Sequence, residues 1–158
     1  MIDLDDLSAK AAASGARHLL LSNMRGHLCD MDHLMQIAGA AGLTVIEDCA
    51  HTMGAKWNGK RSGNFGLAGC FSTQTYKHMN SGEGGFLASD DADFMARAVM
   101  LSGSYMLYAR HGAAPDPEVF AEIRLQTPNM SARMDNLRAA LLRPQLATIN
   151  DGIAAWNA

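Results

Sequence analysis

The stretch from His18 to Asp48 constrains the fold more than any other part of this chain. HLLLSNM, residues 18–24, is a compact apolar run of strand length, with a strand starting near Arg17. From Asp30 the period changes. Leu34, Ile37, Ala38 and Ala41 recur at i, i+3, i+4 and i+7 behind an acidic start, and Gly42 supplies a stop, so an amphipathic helix is predicted. Leu43 to Ile46 is then a β-branched run that ends in two acids, Glu47 and Asp48. Strand, helix and strand within about thirty residues make a βαβ unit, whose strands are parallel and adjacent or nearly so. The expectation is an α/β fold with a mostly parallel sheet.

The rest of the chain fits around that unit. Ala9 to Gly15 is a short alanine-rich helical segment closed by glycine. GAKWNGKRSGNFGL, residues 54–67, carries four glycines and reads as a loop or tight hairpin. Ala68–Ser72 and Gly85–Ser89 are strand candidates on either side of the polar segment that contains Lys77. Asp90–Ser102 is helical, with Phe94, Met95, Ala98 and Leu101 as its expected buried face. Ser102–Pro117 reads as a loop and Glu118–Leu125 as a short helix, and Pro128 with Asn129 breaks the chain. Met134, Leu137, Leu141 and Leu142 restart a helical stripe that Pro144 should kink or divide.

Composition sets limits on function. With 158 residues, 48% hydrophobic and 18% charged, the chain has the size and balance of one folded domain. A formal net charge of −3 with scattered Lys and Arg offers no basic face for nucleic acid. No run of about eighteen apolar residues exists to span a bilayer, and the acidic start MIDLDDLSAK is unlike a secretory leader, so a cytoplasmic location is expected. Cys29, Cys49 and Cys70 are odd in number and lack a CxxC pair, which suits reduced thiols. The His-x-Cys and Cys-x-His spacings of His27, Cys29, Cys49 and His51 match no common structural zinc knuckle, so no metal is expected.

In parallel α/β sheets ligands collect at the carboxyl ends of strands. Asp48 and Ser72 lie at such ends and Lys77 just beyond. A carboxylate, a hydroxyl and an amine together are what a phosphorylated aldehyde cofactor with a basic ring nitrogen requires. Taken singly, each residue has an ordinary reading: Asp48 a strand cap, His51 a packed histidine, Ser72 a strand serine, Lys77 a solvated charge. Glu83 is read as structural.

Their order and spacing resemble a known family. IEDCAHTMGAKWNGKRSGNFGLAGCFSTQTYKHMNSGEGGFLASDD is similar to the core of the pyridoxal-phosphate (PLP)-dependent aminotransferases of the DegT/DnrJ/EryC1/StrS type, the sugar aminotransferases. The match lies in Glu47-Asp48-Cys49-Ala50-His51, Phe71-Ser72, Lys77 five residues after that serine, and Glu83-Gly84-Gly85. PNMSARMDNLRAALLRPQL resembles the family's Asn-x-Arg-Met segment, although Met130, Ser131 and Ala132 set Asn129 and Arg133 further apart. The resemblance implies a three-layer α/β/α fragment of a fold type I PLP-dependent transferase large domain. Residues 1–127 would be the central and C-terminal part of the PLP-binding large domain, and residues 128–158 the start of a connecting helix toward a C-terminal small domain.

By the same resemblance Lys77 is the Schiff-base lysine and proton shuttle, and Asp48 pairs with the pyridinium nitrogen. His51 lies near the ring, and Ser72 donates to the phosphate. Asn129 reaches the phosphate of a neighbouring subunit's cofactor, which implies a homodimer with a shared site. The implied reaction moves an amino group from an amino acid such as glutamate to a keto-sugar nucleotide or similar keto-polyol. Family members are longer chains, with an N-terminal phosphate cradle and a small domain, so this chain is expected to be the central part of a longer enzyme. The alternative is a non-catalytic remnant or interaction module. Relatives that are sugar dehydratases carry histidine in place of the lysine; Lys77 favours the aminotransferase branch, with His78 beside it.

Overall fold

The computed structural model describes residues 1–103, 108–110 and 112–158, so residues 104–107 and 111 of the loop expected across Ser102–Pro117 lie outside the described residues. The βαβ unit forms as expected. β1 (His18–Ser22) and β2 (Thr44–Asp48) pair in parallel, with Leu21 opposite Glu47 and Ser22 opposite Asp48. Between them α2 (Met31–Ala40) is capped by Asp30, whose carboxylate accepts from the His33 N–H at 2.9 Å. β5 (Ala68–Ser72) runs parallel to β2, and β6 (Gly85–Ala88) antiparallel to β5, giving the order β1-β2-β5-β6. The sheet is therefore mostly parallel, and its class is α/β.

Strand alternation decides which side chains enter the core. On β2, Val45 and Glu47 are buried, while Thr44, Ile46 and Asp48 are half-buried on the other face. Val45 joins Leu21, Cys29, Met31, Leu34 and Ala38 in one apolar cluster, against which Leu4, Leu7 and Leu19 also pack. α1 (Leu4–Ser14) begins earlier than its alanine run, because Asp3 accepts from the N–H groups of Asp5 and Asp6 at 3.0 and 3.1 Å. It ends where expected, at Gly15 with φ 66°. The glycine-rich stretch holds a hairpin of β3 (Lys56–Trp57) and β4 (Lys60–Arg61), turning through Asn58 and Gly59 at φ 47° and 82°. Two residues with positive φ suit the right-handed twist of a two-residue hairpin.

Two compact units emerge: Met1–Ala88 with Asn136–Ala158, and Ser89–Asp135. In the second, α3 (Ala92–Ser102) is capped by Asp91, which accepts from the Phe94 N–H at 2.8 Å. Ala96 and Met100 are its buried residues, packed with Phe120 and Ile123 of α4 (Phe120–Gln126). The expected face of Phe94, Met95, Ala98 and Leu101 is only half-buried. Apolar residues surround most of this helix, so hydrophobicity alone does not mark the side that meets Phe120.

In the first unit α5 (Asn136–Trp156) is one continuous helix with Pro144 inside it, rather than two segments. Of the expected stripe, Met134 precedes the helix and Leu142 is buried, but Leu137 and Leu141 are 73% and 50% exposed. Among the described residues no helix is long and apolar enough to cross a membrane.

Candidate active site

The adjacent acids of β2 take opposite roles because successive side chains leave a strand on opposite faces. Glu47 is fully buried, and its carboxylate accepts three main-chain N–H groups: Gly63 at 2.8 Å, Phe65 at 2.7 Å and Gly66 at 2.9 Å. The loop it gathers packs closely against the sheet. A Cβ on Gly69 would meet the Gly63 carbonyl oxygen at 2.6 Å, and one on Gly66 would strike Val45. The sequence reading did not assign this carboxylate; its signal is the glycine spacing of residues 63–69, each glycine sitting where a side chain would collide.

Asp48, on the other face, is held at both oxygens. Oδ2 accepts from Ser22 Oγ at 3.0 Å and Oδ1 from the Ala50 N–H at 3.1 Å. Ser22 reaches it because the parallel register sets the two residues side by side. A carboxylate has about four acceptor sites, so two remain for a further donor.

Beyond β2 the chain turns through Thr52, Gly54 and Ala55. Buried Cys49, Thr52 and Ser62 form a small network, with Ser62 Oγ 3.0 Å from Cys49 Sγ and 2.7 Å from Thr52 Oγ1. Burial pushes the Cys49 thiol up, only partly offset by those two hydroxyls. His51 Nδ1 accepts from the Arg25 N–H at 3.1 Å. In a neutral ring this leaves the proton on Nε2, which has no partner among the described residues.

Lys77 stands on the loop between β5 and β6, a loop closed by its own bonds. Thr73 N–H donates to the Gly84 carbonyl at 2.9 Å, Ser81 N–H to Thr73 at 2.9 Å and Thr75 N–H to Gly82 at 3.1 Å. Thr73 Oγ1 lies 3.1 Å from Ser81 Oγ, and the buried Met79 anchors the loop to the interior. α5 fixes the loop from outside: Gln145 accepts from the Asn80 N–H at 2.9 Å and donates to its carbonyl at 2.7 Å. His78 stacks on Trp156, ring centres 4.7 Å apart.

Lys77, Ser72 and His51 line one cavity of about 260 Å³, together with Arg25, Ala50, Met53, Tyr76 and His78. Asp48 is not in its lining, and Asn129 lies in the second unit. There Asn129 Oδ1 accepts from the Ser131 N–H at 2.8 Å. Lys77 Nζ has no hydrogen-bond or ion-pair partner among the described residues. Ser72 Oγ accepts from the Gln74 N–H at 3.3 Å, leaving its own proton to donate elsewhere. Sequence reasoning missed Arg25 and Ser22, which belong to no short motif and come near the site through strand register and the turn after β1.

A half-buried lysine without a partner among the described residues thus shares a cavity with a hydroxyl and an imidazole at the carboxyl ends of parallel strands. The chain belongs to the DegT/DnrJ/EryC1/StrS aminotransferase family, whose model matches residues 1–156. It is 35% identical over 152 residues to L-glutamine:scyllo-inosose aminotransferase of Streptomyces griseus, covering 93% of this chain and 35% of that one. Among solved structures it resembles DesV of S. venezuelae in complex with a ketimine intermediate, with a TM-score of 0.74 and 29% identity over 95% of this chain and 37% of that one. The E. coli GDP-4-keto-6-deoxy-D-mannose-3-dehydratase with bound hydrated PLP shares the fold, with a TM-score of 0.73 at 24% identity over 94% of this chain and 40% of that one. The chain spans about a third of the length of the curated relatives it matches.

Proposed function

We propose that the protein to which this chain belongs is a PLP-dependent aminotransferase that moves an amino group from an amino acid to a keto-sugar nucleotide or similar keto-polyol. The observation that carries this reading is that the Lys77 amine, without a partner among the described residues, shares one cavity with the Ser72 hydroxyl and His51. The residues suit the cofactor: the cavity offers a primary amine for its aldehyde and a hydroxyl with its proton unspent, and Asp48, outside that lining, keeps two acceptor sites open at the neighbouring strand end.

When bound, the cofactor supplies a carbonyl that carries the amino group and a protonated ring that takes up the electron pair released at the substrate carbon. Lys77 would hold the cofactor through Nζ and, once displaced by substrate, carry the proton from the substrate carbon. Asp48, kept in one orientation by Ser22 and the Ala50 N–H, would accept from the ring nitrogen. His51 would donate through Nε2 to an oxygen on the ring, and Ser72 through Oγ to the phosphate. Asn129 is assigned to the phosphate of a neighbouring subunit's cofactor, which makes the working form a homodimer. Residues 1–127 are assigned to the large domain and 128–158 to the helix leading toward a small domain. Lys77 favours amino transfer over dehydration.

The test uses the full-length protein with PLP and borohydride. A stable adduct mapped to Lys77 is expected, and Lys77→Ala should abolish both the adduct and turnover. Retention of either in Lys77→Ala sinks the reading.

A further inference from the structure

Arg25 borders the Lys77 cavity and has none of the roles above. It also lines an adjoining cavity of about 540 Å³, shared with His51, Met53 and His78. Its backbone is left-handed, φ 58° and ψ 22°, a conformation uncommon for a residue with a Cβ. Strained backbone of this kind persists where surroundings over-determine it, and it concentrates at working sites. Here the constraint is visible: the Arg25 N–H is held by His51 Nδ1, and Gly26 comes so close that a Cβ there would lie 3.2 Å from the His51 carbonyl oxygen. The turn is thereby fastened to a residue of the proposed site.

The guanidinium itself has no hydrogen-bond or ion-pair partner among the described residues. Neither cavity that it borders is lined by an Asp or Glu, while Lys77 faces the first and Lys56 the second. Arg25 is exposed at the rim of both cavities, and its planar, permanently charged fork matches an incoming carboxylate in two parallel hydrogen bonds. In an α-amino acid the amine and the carboxylate sit on the same carbon. A group that binds that carboxylate must therefore share the cavity of the amine with which the donor exchanges. Arg25 does, whereas Lys56 lines only the second cavity.

We infer that Arg25 binds the α-carboxylate of the amino-acid donor, an inference that rests on the aminotransferase reading above. The experiment compares wild type, Arg25→Asn and Arg25→Lys in the full-length, PLP-loaded protein. Asparagine is chosen because it tolerates the left-handed turn. The probes are L-glutamate and isoglutamine, its α-amide, which lacks the carboxylate in question. Their dissociation constants are read from the change in cofactor absorbance, with cofactor affinity and borohydride trapping at Lys77 measured in parallel.

The expected result is an Arg25→Asn protein that traps PLP normally, binds isoglutamine as wild type does, and binds L-glutamate about 10- to 100-fold more weakly. Arg25→Lys should recover part of the preference for glutamate. Equal weakening of both probes in the two variants overturns the inference. So does a loss of cofactor affinity with the glutamate-to-isoglutamine ratio unchanged, which would assign the guanidinium to the cofactor phosphate. Failure of wild type to trap PLP at Lys77 is a different outcome: it removes the aminotransferase reading itself, and the donor assignment with it.

Discussion

Replacing Glu47 tests the internal framework of the site. The carboxylate is fully buried and accepts three main-chain N–H groups of one loop at 2.7 to 2.9 Å. A hydrogen bond to a charged group contributes about 1.5–3 kcal/mol net. Three such bonds to one short loop are not additive, because losing the first lets the others relax. Glu47→Ala should therefore cost about 4 kcal/mol, in the range reached when a buried hydrogen-bond network is broken. Glu47→Gln separates charge from geometry. Its carbonyl oxygen keeps the bonds from Phe65 and Gly66, but its NH₂ faces the Gly63 N–H, donor against donor, so a cost of about 2 kcal/mol is expected. Urea denaturation of the purified protein measures both, as a fall in midpoint at unchanged slope. A Glu47→Ala cost below about 1 kcal/mol, or equal costs for the two variants, would refute the assignment of Glu47 as the organiser of this loop.

Gly69→Ala places a methyl group against the main chain of Gly63, where no flexible side chain can give way, and should cost about 2–3 kcal/mol by thermal denaturation. Burial raises the thiols of Cys29, Cys49 and Cys70, so the folded state holds their protons more tightly than the unfolded chain does. That contribution is fully present below the ordinary thiol pKa of about 8.5 and is lost as pH rises through the raised values, so the urea midpoint should fall from about pH 8 to about pH 10. Cys49→Ala should flatten part of the decline.

Local signals carried much of the fold. Asp30 and Asp91 cap the helices they precede, Gly15 and Gly103 end theirs in the left-handed conformation, and the apolar run of β1 pairs in parallel with the β-branched run of β2. These depend on neighbours in sequence. What sequence could not reveal depends on neighbours in space. The buried side of α3 follows from where Phe120 lies, and Leu137 and Leu141, apolar at helical spacing, are exposed on α5. At the site, Ser72, Lys77 and His51 were legible as a spaced motif and line one cavity. Ser22 was not legible, since it meets Asp48 only through the strand register, and neither was Arg25, which is brought in by the turn after β1. The pair Glu47-Asp48 shows the limit most plainly. Both read as strand-end acids, and the pleat alone sends one inward as framework and leaves the other on the opposite face.

The loop from Thr73 to Gly84 has a consequence for how such a site changes over evolutionary time. Its closure runs through main-chain groups, the hydroxyls of Thr73 and Ser81, and the buried Met79, while α5 holds it at Asn80. The side chain at 77 is not among these ties. Folding therefore places little demand on that position, and on the aminotransferase reading proposed above a single codon change there would alter the chemistry without dismantling the scaffold. On that reading, new reactivity would be accessible in one mutational step, at small cost to the fold that presents it.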